Sequence, residues 1–210
     1  MRAWLARGTR RLDATVDLGP RLLVCLAAAL LVAVFLFPLW TLTMFAPQYP
    51  QGLRLTIYTW RLDGGNDGQD IEEINVLNHY IGMAPIGTES FREFKWMPFV
   101  LGALGLLFLR AAVHGRVAGL LDVTVMFAYF ALFSAGSFAY EMYVYGHHLD
   151  RNAPVQVPGF MPPLFGGQRI ANFEVYSYPG PAAYLLGAVL LLLAAALVLG
   201  WRRSAAGAEA

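Results

Sequence analysis

Four stretches of this chain are apolar for long enough to cross a bilayer as helices, and that constrains everything between them. They run over residues 22–45, 96–113, 117–143 and 182–201. A hydrocarbon core of about 30 Å takes about 20 helical residues, and a lipid-exposed segment of this length satisfies its own backbone only as a helix. Composition agrees: of 210 residues, 58% are hydrophobic and 14% charged, against about 25% charged in an ordinary soluble domain. The expected fold class is an all-α membrane protein, a four-transmembrane-helix bundle. A small mixed strand and helix cap would be built from the two long connections, 46–95 and 144–181. The first run exceeds the roughly 7–15 residues of a signal-peptide core and no small-x-small cleavage site follows it. The surroundings of Cys25 make a poor lipoprotein signal, so the run is expected to stay as a helix.

Orientation follows from the arginines. Arg2, Arg7, Arg10, Arg11 and Arg21 precede the first span, Arg110 and Arg116 bracket the turn between spans two and three, and Arg202 and Arg203 follow the fourth. That is 9 of the 15 basic residues, while the two long connections hold the other 6 beside 9 acids. Both termini, the basic tail 1–21 and the tail 202–210, are therefore expected in the cytoplasm, with Trp4 and Leu5 along the inner leaflet and 204–210 a disordered end. Both connections then face the periplasm of a bacterial inner membrane. The formal net charge of +1 and the lack of a long Lys/Arg run give no footing for nucleic acid. A single cysteine excludes an internal disulfide framework and any multi-cysteine metal site.

The first connection opens with Ala46-Pro47-Gln48-Tyr49-Pro50-Gln51-Gly52, which is turn chemistry. Leu53, Leu55 and Ile57 alternate with Arg54, Thr56 and Tyr58, predicting a strand over 53–60. Asp63–Gly68 resembles a calcium loop, but the ligand spacing and closing glutamate do not fit, so it reads as a polar turn. A helix is predicted from Asp70 to Met83, with Asp70 and Glu73 as a capping box and Ile71, Ile74, Leu77 and Ile81 as its apolar stripe. Its other face carries Glu72, Asn75, His79 and Met83. Imidazole and thioether four residues apart can meet one ion, and that pair suits Cu(I). The competing reading is a hydrogen-bonded histidine with Met83 as packing.

The second connection starts from a polar stripe of Ser134, Ser137, Glu141, Tyr145 and His148 on an otherwise aromatic helix. A lone carboxylate such as Glu141 near the membrane boundary normally faces protein, water or a partner charge. His147 and His148 stand above it, with Met142 close by. Neighbouring helical histidines diverge by about 100°, so one site rarely takes both, a restriction that goes if the helix ends at Gly146. An interfacial tyrosine and histidine belt is the plainer alternative. Residues 152–167 are rich in Pro and Gly, yet their apolar members need cover, so they should pack on the first connection. Ile170–Tyr176 reads as a second strand, paired with 53–60.

The chain has no Walker loop, no Gly-x-Gly-x-x-Gly, no Gly-x-Ser-x-Gly and no Cys-x-x-Cys-His. His114 is expected on the opposite side from the other histidines, so a membrane haem lacks its ligand pair. No inverted repeat with broken helices marks a secondary transporter.

Several segments resemble a known family. Phe37-Pro38-Leu39-Trp40 with Ala46-Pro47-Gln48-Tyr49-Pro50, and Ile74 to Met83 with its Asn78-His79-Tyr80-Ile81-Gly82-Met83, are similar to small multipass membrane proteins encoded in bacterial nitrous-oxide reductase gene clusters. Tyr145-Gly146-His147-His148-Leu149-Asp150 and Val157 to Gly166 resemble that family's second loop, so the likeness spans roughly residues 35–178. It implies a periplasm-facing accessory protein working beside a copper enzyme, its copper chaperone and an ABC transporter. The matching polar positions are Asn75, Asn78, His79, Met83, His147 and Asp150. The family has one histidine followed by Asn or Asp where this chain has His147-His148, so His148 is a departure. The resemblance assigns none of them a ligand role.

The expected function is therefore non-enzymatic: a membrane accessory protein for assembly or activity of a periplasmic copper enzyme. His79, Met83, His147 and His148 would offer a transient Cu(I) site, backed by Asn75, Asn78, Glu141 and Asp150. The alternative is a structural anchor that docks a periplasmic enzyme or another membrane subunit without metal. A third class, quinol chemistry with Glu141 and His148 accepting protons, has no cofactor ligand pair behind it.

Overall fold

A computed structural model describes residues 11–170 and 172–206; the expectations for residues 1–10 and 207–210 lie outside them. Three helices are long and apolar enough to cross a membrane, through Glu93–His114, Val117–His147 and Pro181–Arg203. A shorter apolar helix, α1, covers Leu18–Val34. The others are α2 (Gln69–Ile81), α3 (Glu93–His114), α4 (Val117–His147) and α5 (Pro181–Ala206). Five strands, β1 (Trp40–Ala46), β2 (Tyr49–Ile57), β3 (Leu62–Gly64), β4 (Gly166–Ile170) and β5 (Phe173–Pro179), form one sheet in the order β3-β2-β1-β5-β4. Every pairing is antiparallel. The chain is thus not all-α.

The first apolar run does not remain helical to residue 45. Pro38 has no N–H to donate and pushes residue 37 out of the helical region. Beyond it Thr41 and Thr43 alternate with Trp40, Leu42 and Met44, a pattern that fits a pleated surface better than a helix. That segment is β1, the middle strand, pairing Trp40 with Ile57 on one side and with Pro179 on the other. The predicted pairing of 53–60 with 170–176 is therefore overturned: β2 and β5 each bond to β1 and not to each other. The predicted turn is present in tighter form, with Ala46 paired directly to Tyr49 across Pro47-Gln48.

The chain divides into two compact units. One comprises residues up to Ala33, Phe99–Leu132 and residues from Leu185 onward. Its interior is built from Val24, Ala27, Leu31, Leu101, Leu104, Phe108, Leu120, Phe127, Val189 and Leu193, all buried. Phe108 meets Phe127 edge-on at 5.9 Å between ring centroids. At one end Val16 N–H donates to Gly115 O (2.8 Å), Val117 N–H to Ala14 O (3.1 Å), and Arg203 pairs with Asp17 (2.6 Å).

The other unit holds residues Val34–Pro98 and Phe133–Tyr184. Here α2 lays Ile74, Leu77 and Ile81 against Leu53, Leu55, Leu62, Ala46 and Phe173 of the sheet. Each buried Leu or Ile contributes about 1.5–3 kcal/mol by leaving water, so this one cluster outweighs any single polar contact in the unit. Val157 and Phe160 pack on it as well, which is the cover that the Pro/Gly-rich segment needs.

The point where the chain leaves α1 is fastened to the point where it enters α5. Ala182 N–H donates to Pro38 O and Gly180 N–H to Leu39 O, both at 2.9 Å. A Cβ on Gly180 would stand 2.3 Å from Pro38 O, whereas one on Gly187 would meet nothing within 4 Å. Replacing Gly180 by Ala should cost about 1–3 kcal/mol of stability through overpacking. Gly187→Ala should be neutral or slightly stabilising, and thermal unfolding of both variants in detergent checks the contrast.

Candidate functional site

The site begins with how two helices end. α2 stops because Gly82 takes the left-handed conformation (φ 79°), which only glycine adopts without strain. Gly82 N–H then donates to His79 O (3.3 Å) and Met83 N–H to Asn78 O (2.8 Å). Met83 accordingly lies just past the helix, a correction to the predicted span of 70–83. α4 runs on through His147, so it does not stop at Gly146, and His148 N–H still donates to Val144 O (2.9 Å).

Backbone contact joins the two ends. Asp150 N–H donates to Gly82 O (2.8 Å) and Val155 N–H to Tyr80 O (3.0 Å). A Cβ on Gly82 would lie 2.7 Å from Asp150 O, so no side chain fits between the segments. Phe160 N–H donates to Gly146 O (3.0 Å), and a Cβ on Gly146 would fall 1.9 Å from Phe160 O. Both glycines mark places where backbones touch.

Between these ends lies an open cavity of about 640 Å³ lined by His79, Gly82, Met83, Ala84, Pro85, His147, His148, Leu149, Asp150 and Arg151. All four predicted ligand residues and Asp150 are thus gathered in one groove. His147 is the best oriented. Its Nδ1 lies 3.0 Å from Tyr143 O, and a carbonyl only accepts, so Nδ1 carries a hydrogen and Nε2 is the ring nitrogen left for another contact. The ring stacks on Tyr143 at 3.9 Å. His79 and His148 are exposed, and Met83 is half-buried against the hydrophobic core. Asp150 accepts from Asn152 N–H (2.9 Å) with one oxygen. The carbonyls at the two helix ends are largely taken by the chain itself, Asn78 O by Met83 N–H, Tyr80 O by Val155 N–H, Val144 O by His148 N–H and Gly146 O by Phe160 N–H, so the groove's polar chemistry rests on its side chains. Among the described residues no three His, Cys, Asp or Glu side chains stand together closely enough to hold an ion.

The predicted supporting residues divide. Asn75 is not in the groove but braces it: Nδ2 donates to Ile86 O (3.0 Å) and Ile86 N–H donates to Oδ1 (2.7 Å). Asn78 is 1% exposed, also off the groove, and its Nδ2 has no partner among the described residues. Glu141 does not line it either. Lower on the stripe, Ser137 donates to Glu93 Oε1 (2.5 Å), while Tyr145 donates to Pro85 O (3.2 Å) and stacks on Phe91 (5.5 Å). Sequence reasoning missed Tyr143 and Gly82. Tyr143 stands four residues before His147 on one helix face, and a glycine closing an apolar-periodic helix is a recognisable stop.

α2 is held to the sheet by its first turns. The predicted capping box is not formed: the N-cap position is Gly68, with no side-chain cap. Asp70 is buried and accepts from Arg54 N–H (2.8 Å) and Asn66 Nδ2 (2.7 Å). The tertiary partner on β2 wins because a buried carboxylate needs its donors more than an exposed helix end needs a cap. Tyr49 on β2 donates its phenol hydrogen to Glu73. That hydrogen bond first, then loss of water and the glutamate's charge, hold the Tyr49 phenol above its ordinary pKa near 10.

A protonated Tyr49 therefore favours the fold in full below about pH 10, and the contribution fades as pH rises through the higher folded-state value. Tyr49→Phe should remove this alkaline dependence, and a 295 nm titration of the variant should show one fewer late-ionising tyrosine than wild type.

Compared with protein-family models and with curated proteins, the sequence matches none.

Proposed function

We propose that the chain is a multipass accessory protein of a bacterial inner membrane, serving the assembly or activity of a periplasmic copper enzyme of the nitrous-oxide reductase kind. It takes up Cu(I) transiently in the groove at the ends of α2 and α4. The observation that carries this reading is that His79 and Met83 from one segment and His147 from another, over sixty positions further on, line one open cavity. His148, which follows His147 on a helix that does not stop at Gly146, diverges from it by about 100° and is left out of the donor set. Imidazole and thioether donors suit Cu(I). Few donors, with exposed imidazoles and no cysteine, suit hand-over better than storage. The reading assigns the chain no catalysis of its own.

The topology fits this placement. β1 follows α1 and β5 precedes α5, and their pairing from Trp40↔Pro179 to Phe45↔Glu174 requires one side of the membrane for both. α3 and α4 then cross and return. The arginine distribution favours the cytoplasm for the opposite ends. α1, with 17 residues, sits at the short limit of a span (about 17–25 residues) and serves as the fourth crossing.

An anaerobic Cu(I) competition titration on purified protein tests the reading. Wild type should take up about one equivalent that a one-site groove can hold, and the triple variant His79→Ala, Met83→Ala, His147→Ala should lose it. Equal uptake, or none in either, removes the copper role.

A second reading, an anchor that docks a partner without metal, has its own observation. Phe165 is 70% exposed and packs edge-on against the exposed Tyr178 (5.5 Å), an apolar patch on β5 and the segment before β4. A photo-cross-linker at Phe165 that captures one stable partner, in protein that binds no Cu(I), favours the anchor.

A further inference from the structure

The chain between α1 and β1 and the turn between β2 and β3 form one apolar tip. α1 has 17 residues and so spans about 26 Å, a few ångströms less than the roughly 30 Å hydrocarbon core. Phe35-Leu36-Phe37 follow it directly, with Leu36 74% and Phe37 44% exposed. Trp60, 45% exposed, is tied to this segment by its Nε1–H, which donates to Phe35 O (3.4 Å). Four large apolar side chains therefore crowd the place where an apolar helix stops short.

Non-helical backbone is tolerated near the membrane only where its polar groups are satisfied. Four of those groups have partners here: Phe35 O bonds Trp60, Pro38 O Ala182 N–H, Leu39 O Gly180 N–H, and Leu39 N–H Ile57 O (2.7 Å). The turn itself is closed by Tyr58 N–H donating to Arg61 O (2.9 Å).

Arg61 completes the pattern. Its guanidinium carbon lies 5.1 Å from the Tyr58 ring centre and 4.8 Å from that of Trp60. It pairs with Asp63 at 3.2 Å, its side chain is 41% exposed, and its buried Nε–H has no acceptor among the described residues. Indole, phenol and guanidinium at the end of an apolar helix are the chemistry of the headgroup layer.

We propose that residues 35–37 and 58–61 form an interfacial foot that rests in the outer leaflet, with Trp60 at carbonyl depth and Arg61 on lipid phosphate. The partner is the bilayer surface itself, because the tip continues an apolar helix and nothing separates the two in the chain. The foot completes the short span of α1 and fixes the height at which β1 and β2 leave the membrane. This does not depend on copper.

The test uses the full chain in phospholipid vesicles whose lipids are brominated either near the headgroup end of the acyl chains or near their methyl ends. The Trp60 signal is the difference between wild type and Trp60→Phe. Shallow bromines should quench most of it, deep bromines little, and acrylamide in water little. Free quenching by acrylamide with none by either bromolipid overturns the foot. Should Trp60→Phe not fold, Leu36→Cys in a Cys25→Ala background, carrying a polarity-sensitive dye, gives the same answer. A blue-shifted emission in vesicles supports the foot, and a water-like emission sinks it. Arg61→Gln should abolish any gain in shallow quenching on adding anionic lipid; an unchanged gain removes the phosphate contact.

Discussion

A backbone carbonyl past the end of a helix must find a donor, and at Pro38 and Leu39 this chain has to find two outside its own helix. Proline ends the helical ladder there, so the carbonyls that would have bonded onward are taken by Ala182 and Gly180. From those two bonds follow the placement of β1 beside β5, the start of α5, and the need for a residue without a side chain at 180. Were residues 35–46 to continue as helix, the sheet would lose its central strand.

Much of the helical framework is readable from hydrophobic run length. α3, α4 and α5 fall within a few residues of their expected places, and α2 appears where its stripe predicts. β1 is the informative failure. An apolar run cannot by itself distinguish buried helix from buried strand, and the deciding marks, Pro38 and the threonines after it, are local features inside a long greasy stretch. Pairing of β1 with β5 is invisible in sequence because nothing local encodes a partner more than a hundred residues away. Asp70 illustrates the same limit in miniature: its spacing to Glu73 suggests a cap, while the amide that claims it belongs to Arg54 on another strand.

For the groove, residue type was readable and arrangement was not. Histidine and methionine at helical spacing, and two histidines in a row, are the residue types that suggest a Cu(I) site in the sequence. That they share one cavity depends on Gly82 and Asp150 touching through a single backbone bond. Met83 reaches the groove from beyond the helix rather than from its face, because the glycine before it turns the chain. Asn75, which looks like a ligand's neighbour, serves instead as a brace on Ile86.

The sheet also has a history written into its order. β1, β2 and β3 are consecutive, so they can pair as soon as they are made, but the other side of β1 stays open until β5 arrives. Between them lie α3 and α4, which must be made first. Contacts of such long sequence separation form late. Closing β5 onto β1 is therefore a completion signal: a chain with either middle helix misinserted leaves the outer edge of β1 bare, a ready target for quality-control proteases or for a neighbour's strand.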